Sequence, residues 1–266
     1  MAGDWQHAFA DYATSSFSDL LRQTAPPLGP GRRETPGDEP PPGVPHGTTV
    51  LALRYQDGVV MAGDRQASEG YQVAHRRIEK IFKADDLSGV GIAGAAGPAM
   101  EMARLFQTEL EHYEKVEGEG LTLEGKANRL GQMIRMNLPM AFQGLVVVPI
   151  FAGFDDRAGV GRLFKYDVTG GRYEEIDYFA QGSGGKDARD SLKKRYRRDM
   201  AREEALQAAV EALIDAADED LGTGGPDLIR GILPSVKTIT RSGFADVAED
   251  EIRRHCEAIL NDRGRL

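Results

Sequence analysis

Residues 48–64 read TTVLALRYQDGVVMAGD. Val50–Leu53 and Val59–Ala62 are apolar, and Asp57-Gly58 between them favours a tight hairpin turn. A strand wetted on one face alternates apolar and polar residues. These two do not alternate, which predicts a sheet covered on both sides. Working outward, strand-like runs recur at Gly89–Ala93, Leu145–Phe154, Gly161–Asp167, Tyr173–Phe179 and Val236–Thr240. Helical spacing fills the gaps. Pro98 suits a first helical position, and Ala99, Met102, Ala103, Phe106, Leu110 and Tyr113 recur on one face after it. Leu123–Phe142 is a second helix candidate. Leu206, Ala209, Val210, Leu213, Ile214 and Ala217 form a third stripe, and Ile252, Cys256, Ile259 and Leu260 a fourth. Strands and helices come in groups, which predicts an α+β fold with an antiparallel sheet.

Upstream of Thr48 the texture is different. The chain has 266 residues and 13 prolines, and 8 of those prolines fall within residues 1–47. Proline lacks an N–H donor and disfavours helix before it. Residues 22–47 also hold few large apolar side chains, so burial cannot offset the entropy of ordering them. They read as a flexible or polyproline-like leader. The first 21 residues carry Trp5, Phe9, Phe17, Leu20 and Leu21, enough for a short docking helix. Asp4, Asp11 and Asp19 interrupt that run, and no basic segment precedes an apolar one, unlike a secretory signal. No stretch reaches the ~18 apolar residues of a membrane span. The expectation is a soluble cytoplasmic protein.

Charge and cysteine usage narrow the chemistry. Acids outnumber bases 42 to 33, a net charge of −9, which argues against a general nucleic-acid binder. The single cysteine, Cys256, excludes an intrachain disulfide framework and an all-cysteine zinc site. There is no HExxH or CxxC motif, and the histidines are scattered. His255 and Cys256 are neighbours in a predicted helix and point apart; Cys256 fits the apolar stripe. Gly182–Lys186 (GSGGK) lacks the earlier glycine and the following Ser/Thr of a phosphate loop. The basic run Lys193–Arg198 (KKRYRR) reads as a solvated helix face.

One constellation remains. The leader ends at Gly47, and Thr48 opens the first strand. A cut between them would give Thr48 both a hydroxyl and a free α-amine. Threonine hydroxyl is a weak nucleophile that needs a base nearby. An α-amine, with a pKa of about 7.7–8.0, can serve as that base near neutral pH. From spacing alone, the plainer reading of Thr48-Thr49 is a pair of β-forming residues at a strand start.

The stretch GTTVLALRYQDGVVMAGDRQAS, followed by Lys80, IAGAAG, QGSGG and DLGTGG, resembles a proteasome β subunit, a family of N-terminal-nucleophile hydrolases. The likeness covers about residues 47–250, with the motifs in the family's order and spacing. The long proline-rich leader, and 24 arginines against 9 lysines, are most similar to the actinobacterial members. The resemblance implies a four-layer αββα sandwich, two antiparallel sheets flanked by helices. It implies a removable propeptide, 1–47, and a mature hydrolase domain, 48–266. On that division the leader carries 6 acids and 3 bases, net −3, leaving −6 on the remainder.

The same resemblance assigns roles to residues. Thr48 is implied as the nucleophile exposed by cleavage after Gly47, Lys80 as the cation beside it, and Asp64 as the partner that holds Lys80. Ser183, Asp220 and Thr223 match a supporting shell near the α-amine, with Thr223 where the family more often has serine. The N–H of Gly94 matches an oxyanion donor. Ser68 and Gly94–Ala96 match segments that pair with extended substrate. Ala67, Ile78, Phe82, Ile92, Ala96 and Met100 match the specificity pocket; all are apolar, which predicts cleavage after apolar residues. No metal or organic cofactor is implied. The implied partners are further copies in a seven-membered β ring, two such rings between two α-subunit rings, and a ring ATPase. The implied substrates are unfolded proteins, tagged in actinobacteria by a small protein modifier. Neither nucleic acid nor membrane is implied.

Overall fold

The computed structural model describes residues 47–69 and 72–265; of the leader assigned to residues 1–47 only Gly47 is among them, and the docking helix expected within the first 21 residues lies outside them. The hairpin read from Thr48–Asp64 forms as β1 (Thr49–Tyr55) and β2 (Gly58–Gly63), with Leu53 opposite Val60 and Tyr55 opposite Gly58. A short hairpin follows, β3 (Ala67–Glu69) and β4 (Gln72–His75), then β5 (Ile81–Asp85) and β6 (Ser88–Gly94). Helices α1 (Ala96–Glu117), α2 (Leu123–Met136) and the short α3 (Leu138–Ala141) come next. Strands β7 (Val147–Asp155), β8 (Val160–Tyr166), β9 (Arg172–Glu175) and β10 (Tyr178–Gly182) succeed them. The chain ends in α4 (Gly185–Arg195), α5 (Arg202–Glu219), β11 (Ser235–Thr240), β12 (Gly243–Asp246) and α6 (Glu249–Asp262).

The strands make two five-stranded sheets, ordered β10-β1-β2-β11-β12 and β5-β6-β7-β8-β9, with antiparallel neighbours throughout. Successive side chains of a strand face opposite ways, and β1 shows why both of its faces are apolar. Val50 and Ala52 pack with Ile81, Ala93, Ile150 and Leu163 of the other sheet. Leu51 and Leu53 pack with Leu192, Leu206 and Leu213 from α4 and α5. On the far side, Val90, Phe151 and Phe164 pack with Phe106 and Leu130 from α1 and α2. Helices, sheet, sheet and helices therefore stack as the four layers expected.

Several boundaries differ from the sequence reading. Tyr173–Phe179 is not one strand. The chain leaves the second sheet after Glu175 and enters the first at Tyr178, so Ile176 and Asp177 form the crossing. Leu123–Phe142 is interrupted at Asn137, because Pro139 in the next turn has no N–H to continue the ladder. Pro98 is the third residue of α1, not the first. In the basic run, Lys193–Arg195 are exposed on α4, but the helix ends there and Arg197 and Arg198 lie beyond it. Cys256 is fully buried in the core beside α5, where desolvation pushes its thiol up to about 12, an unreactive packing residue at neutral pH. Among the described residues no helix is long and apolar enough to cross a membrane.

Candidate active site

Thr48 stands at the mouth of the first sheet, one residue before β1, and is 8% exposed. Its hydroxyl donates to the carbonyl oxygen of Gly47 at 2.6 Å. The Gly47 Cα lies against Gly222: a Cβ there would sit 2.5 Å from the Gly222 carbonyl oxygen. Only glycine fits, and the close fit holds the Gly47 carbonyl over the Thr48 hydroxyl.

Asp64 follows β2 directly and is fully buried. Its Oδ1 accepts from Thr49 N–H at 2.8 Å and Lys80 Nζ at 2.6 Å. Its Oδ2 accepts from the N–H groups of Gln66 and Gly224, each at 2.9 Å. A buried carboxylate needs its lone pairs filled, and these donors fill them. Lys80 precedes β5 in the second sheet and is 5% exposed. Its ammonium has three acceptors for three protons: Asp64 Oδ1, the Gln66 carbonyl at 2.6 Å, and the Gly47 carbonyl at 3.4 Å. Burial pulls the Lys80 pKa below the ordinary lysine value, and the Asp64 charge works against that.

On the other side of Thr48 runs a chain of hydroxyls. Asp220 Oδ2 accepts from Ser183 Oγ at 2.5 Å and from Thr223 Oγ1 at 2.6 Å. Each hydroxyl has one proton to give, so the remaining directions follow. Thr49 Oγ1 must donate to Thr223 Oγ1, 2.6 Å away, while it accepts from Gly184 N–H at 3.1 Å. Ser183 Oγ, its proton spent on Asp220, accepts from Thr48 N–H at 3.4 Å. The Thr48 nitrogen thus faces a lone pair held in place by a carboxylate.

The six pocket residues, Ala67, Ile78, Phe82, Ile92, Ala96 and Met100, line one cleft together with Gly47, Thr48, Lys80 and Gly94. Gly94 has φ +122, and a Cβ on it would lie 2.0 Å from the Val146 carbonyl oxygen, so no other residue fits. Among the described residues the groups on the Gly47 carbonyl oxygen are the Thr48 hydroxyl and Lys80 Nζ, not the Gly94 N–H. Ser68 is buried on β3 and its Oγ accepts from Gln66 Nε2 at 3.0 Å; it is not part of the cleft lining. Besides the six apolar residues and Lys80, a second charged residue that the sequence reading did not name, Glu79, also borders the cleft. Thr49, Gln66, Gly184 and Gly224 lie within the quoted motifs but were given no site role, and Glu79 was not singled out, because most of them act through backbone groups or distant partners.

Away from the cleft, Glu203, Glu251 and His255 bring donor atoms within 4.8 Å of one another. Arg202 already supplies a cation to both Glu251 oxygens, while the buried His255 Nε2 lies 3.4 Å from Glu203 Oε1 with no hydrogen-bond partner among the described residues.

A proteasome subunit family model matches residues 44–228. The chain is 54% identical over 253 residues to a proteasome subunit beta of Acidothermus cellulolyticus, covering 94% of this chain and 87% of that protein. It is 58% identical over 224 residues to that of Acidimicrobium ferrooxidans, covering 83% and 82%. With the Frankia casuarinae protein it shares 51% over 263 residues, covering 98% and 95%. Only 219 residues (266 − 47) follow Gly47, so an alignment of 263 extends well into residues 1–47.

Proposed function

The chain belongs to the proteasome subunit family, as a β subunit of the actinobacterial type, and from that premise we propose that it is a threonine endopeptidase armed by cleavage of its own Gly47–Thr48 bond. The observation that carries this reading is the Thr48 hydroxyl 2.6 Å from the Gly47 carbonyl oxygen, with Lys80 Nζ on the same oxygen. In the first step Thr48 Oγ1 attacks the Gly47 carbonyl carbon. The C–N bond breaks, a C–O ester bond forms, and the hydroxyl proton ends on the departing Thr48 nitrogen. Water then hydrolyses the ester, releasing residues 1–47 as a carboxylate and restoring the hydroxyl. Lys80 offsets the charge that develops on the carbonyl oxygen.

The freed α-amine replaces an amide N–H that faced Ser183 Oγ. It is now the base that the hydroxyl lacked. The hydroxyl oxygen attacks a peptide carbonyl carbon, and its proton passes to the amine directly or through a water. The proton goes on to the leaving amine, and water resolves the acyl-enzyme. Gly94 N–H is the donor proposed for the substrate oxyanion. Before the cut the nitrogen is an amide with no basic lone pair, so the uncleaved chain is a zymogen.

Assembly follows the family: a seven-membered β ring stacked on α-subunit rings, fed with unfolded protein by a ring ATPase in the cytoplasm. N-terminal sequencing of the assembled, active protein tests the reading. Thr48 as first residue supports it, and full activity with Met1 in place removes it. The apolar cleft predicts cleavage after leucine or tyrosine at least about tenfold faster than after arginine or glutamate. The Glu79 carboxylate does not alter this expectation, since its Oε1 is taken by Lys80 N–H, Ile81 N–H and Ser235 Oγ. Matched fluorogenic peptides would measure the ratio.

A further inference from the structure

Glu79 lies beside the residue on which the proposed chemistry most depends, and its contacts reach across the two sheets. Its Oε1 accepts from Lys80 N–H and Ile81 N–H, each at 3.1 Å, so one oxygen clamps the backbone where β5 begins. The same oxygen accepts from Ser235 Oγ at 2.6 Å, and Oε2 lies 3.4 Å from Lys237 Nζ. Ser235 and Lys237 belong to β11, in the other sheet. In the β2–β11 register Ser235 stands opposite Gly63, the residue immediately before Asp64.

A closed circuit results. Asp64 and Lys80 meet through their own ion pair at 2.6 Å. They are tied a second time, from Lys80 backbone to Glu79, to Ser235, across the ladder to Gly63, and so to Asp64. An ion pair alone fixes a separation but leaves a long lysine chain free to pivot. The second tie fixes where that chain starts. Resting on the proposed function above, we propose that Glu79 is a positioning residue: it braces the Lys80 segment against β11 so that the ammonium reaches Asp64 and the scissile carbonyl together. Its carboxylate is spent on this brace, which explains an acid at the rim of a cleft whose specificity positions are all apolar.

The test uses the assembled, processed enzyme and its Glu79→Ala, Glu79→Gln and Ser235→Ala variants. Displacement of a reacting group by about 1 Å can cost ~100-fold in rate, so Glu79→Ala is expected to lower kcat on a leucine or tyrosine peptide ~10- to 100-fold. KM should change by less than about twofold, since the apolar lining stays (uniform binding is untouched). Glu79→Gln keeps an acceptor oxygen and should recover most of the rate. Ser235→Ala cuts the brace from the far side, outside the cleft, and should reproduce part of the loss. With Asp64 less able to favour the ammonium, the alkaline limb of kcat should move to lower pH in Glu79→Ala and Ser235→Ala. Equal loss in Glu79→Gln and Glu79→Ala overturns the proposal. So does an unchanged kcat on apolar peptides with loss only after basic residues, which would make Glu79 a specificity residue. Should Glu79→Ala fail to assemble, Ser235→Ala carries the same expectations. A crystal structure of either alanine variant decides the point even if the wild type proves inactive on peptides: Lys80 Nζ displaced from Asp64 Oδ1 supports the brace, and an unchanged contact overturns it.

Discussion

Thr48→Ala is expected to leave residues 1–47 attached in the assembled protein and to reduce peptide hydrolysis to background. The variant keeps the backbone, the Ser183 contact and the whole Asp64–Lys80 network, none of which uses the Thr48 side chain. What it loses is the oxygen that stands 2.6 Å from the Gly47 carbonyl oxygen. Without that oxygen no ester forms, so the leader stays and the α-amine never appears. Two failures are thus coupled: no nucleophile and no base. Deleting the nucleophile of a catalytic set that acts as a unit costs roughly 10⁴- to 10⁶-fold. Intact mass of the purified assembly reads the first failure and a peptide assay the second. Thr48→Ser keeps the hydroxyl and should lose its leader, which separates the chemistry of the oxygen from any effect of the methyl group. If Thr48→Ala sheds residues 1–47 without added protease, another group performs the cut and the self-processing reading is wrong.

The stretch Thr48–Asp64 disclosed the fold because its period is visible locally. Val50 and Ala52 face one apolar layer and Leu51 and Leu53 another, so a run without alternation meant a sheet with two dry faces. The crossing at Ile176-Asp177 was not visible: β9 and β10 read as one run, and only pairing with residues far away in sequence shows that they belong to different sheets. The β3 and β4 hairpin gave no periodic signal because its strands are only 3 and 4 residues long. At the site, Thr48, Asp64 and Lys80 were reached through motifs and their order, and they do converge. Thr223 keeps the one feature its position uses, a hydroxyl that gives a proton to Asp220 and takes one from Thr49. Glu79 was illegible because its partners are two backbone N–H groups and Ser235, 156 residues away. Side-chain type alone does not announce a brace of that kind.

Lys80→Met should abolish leader removal and, in a chain cut at Thr48 by an external protease, lower kcat by about 10²- to 10³-fold. The magnitude is that of one charge-stabilising donor lost from a water-poor site. Methionine approximates the volume of the lysine stem, so packing at the cleft floor is largely kept. Asp64 would keep its bonds from Thr49, Gln66 and Gly224 N–H groups, so the carboxylate is not left without partners. A folded assembly with intact KM but little kcat is the expected outcome; recovery of both leader removal and kcat to wild-type levels would exclude Lys80 from the chemistry. The pH dependence supplies the sign. Lys80 acts as the ammonium, and burial lowers its pKa while Asp64 raises it. The ammonium is therefore lost at a lower pH than an exposed lysine would require, and kcat should fall on the alkaline side below the ordinary lysine range. Asp64→Asn removes the opposing charge, so the alkaline limb should shift further down, with acid-side activity reduced far less than in Lys80→Met. An alkaline limb that stays put in Asp64→Asn would mean that a different group titrates there. In the proposed mechanism the two residues act as one device: Lys80 supplies the charge, and Asp64 sets the pH range over which that charge is present.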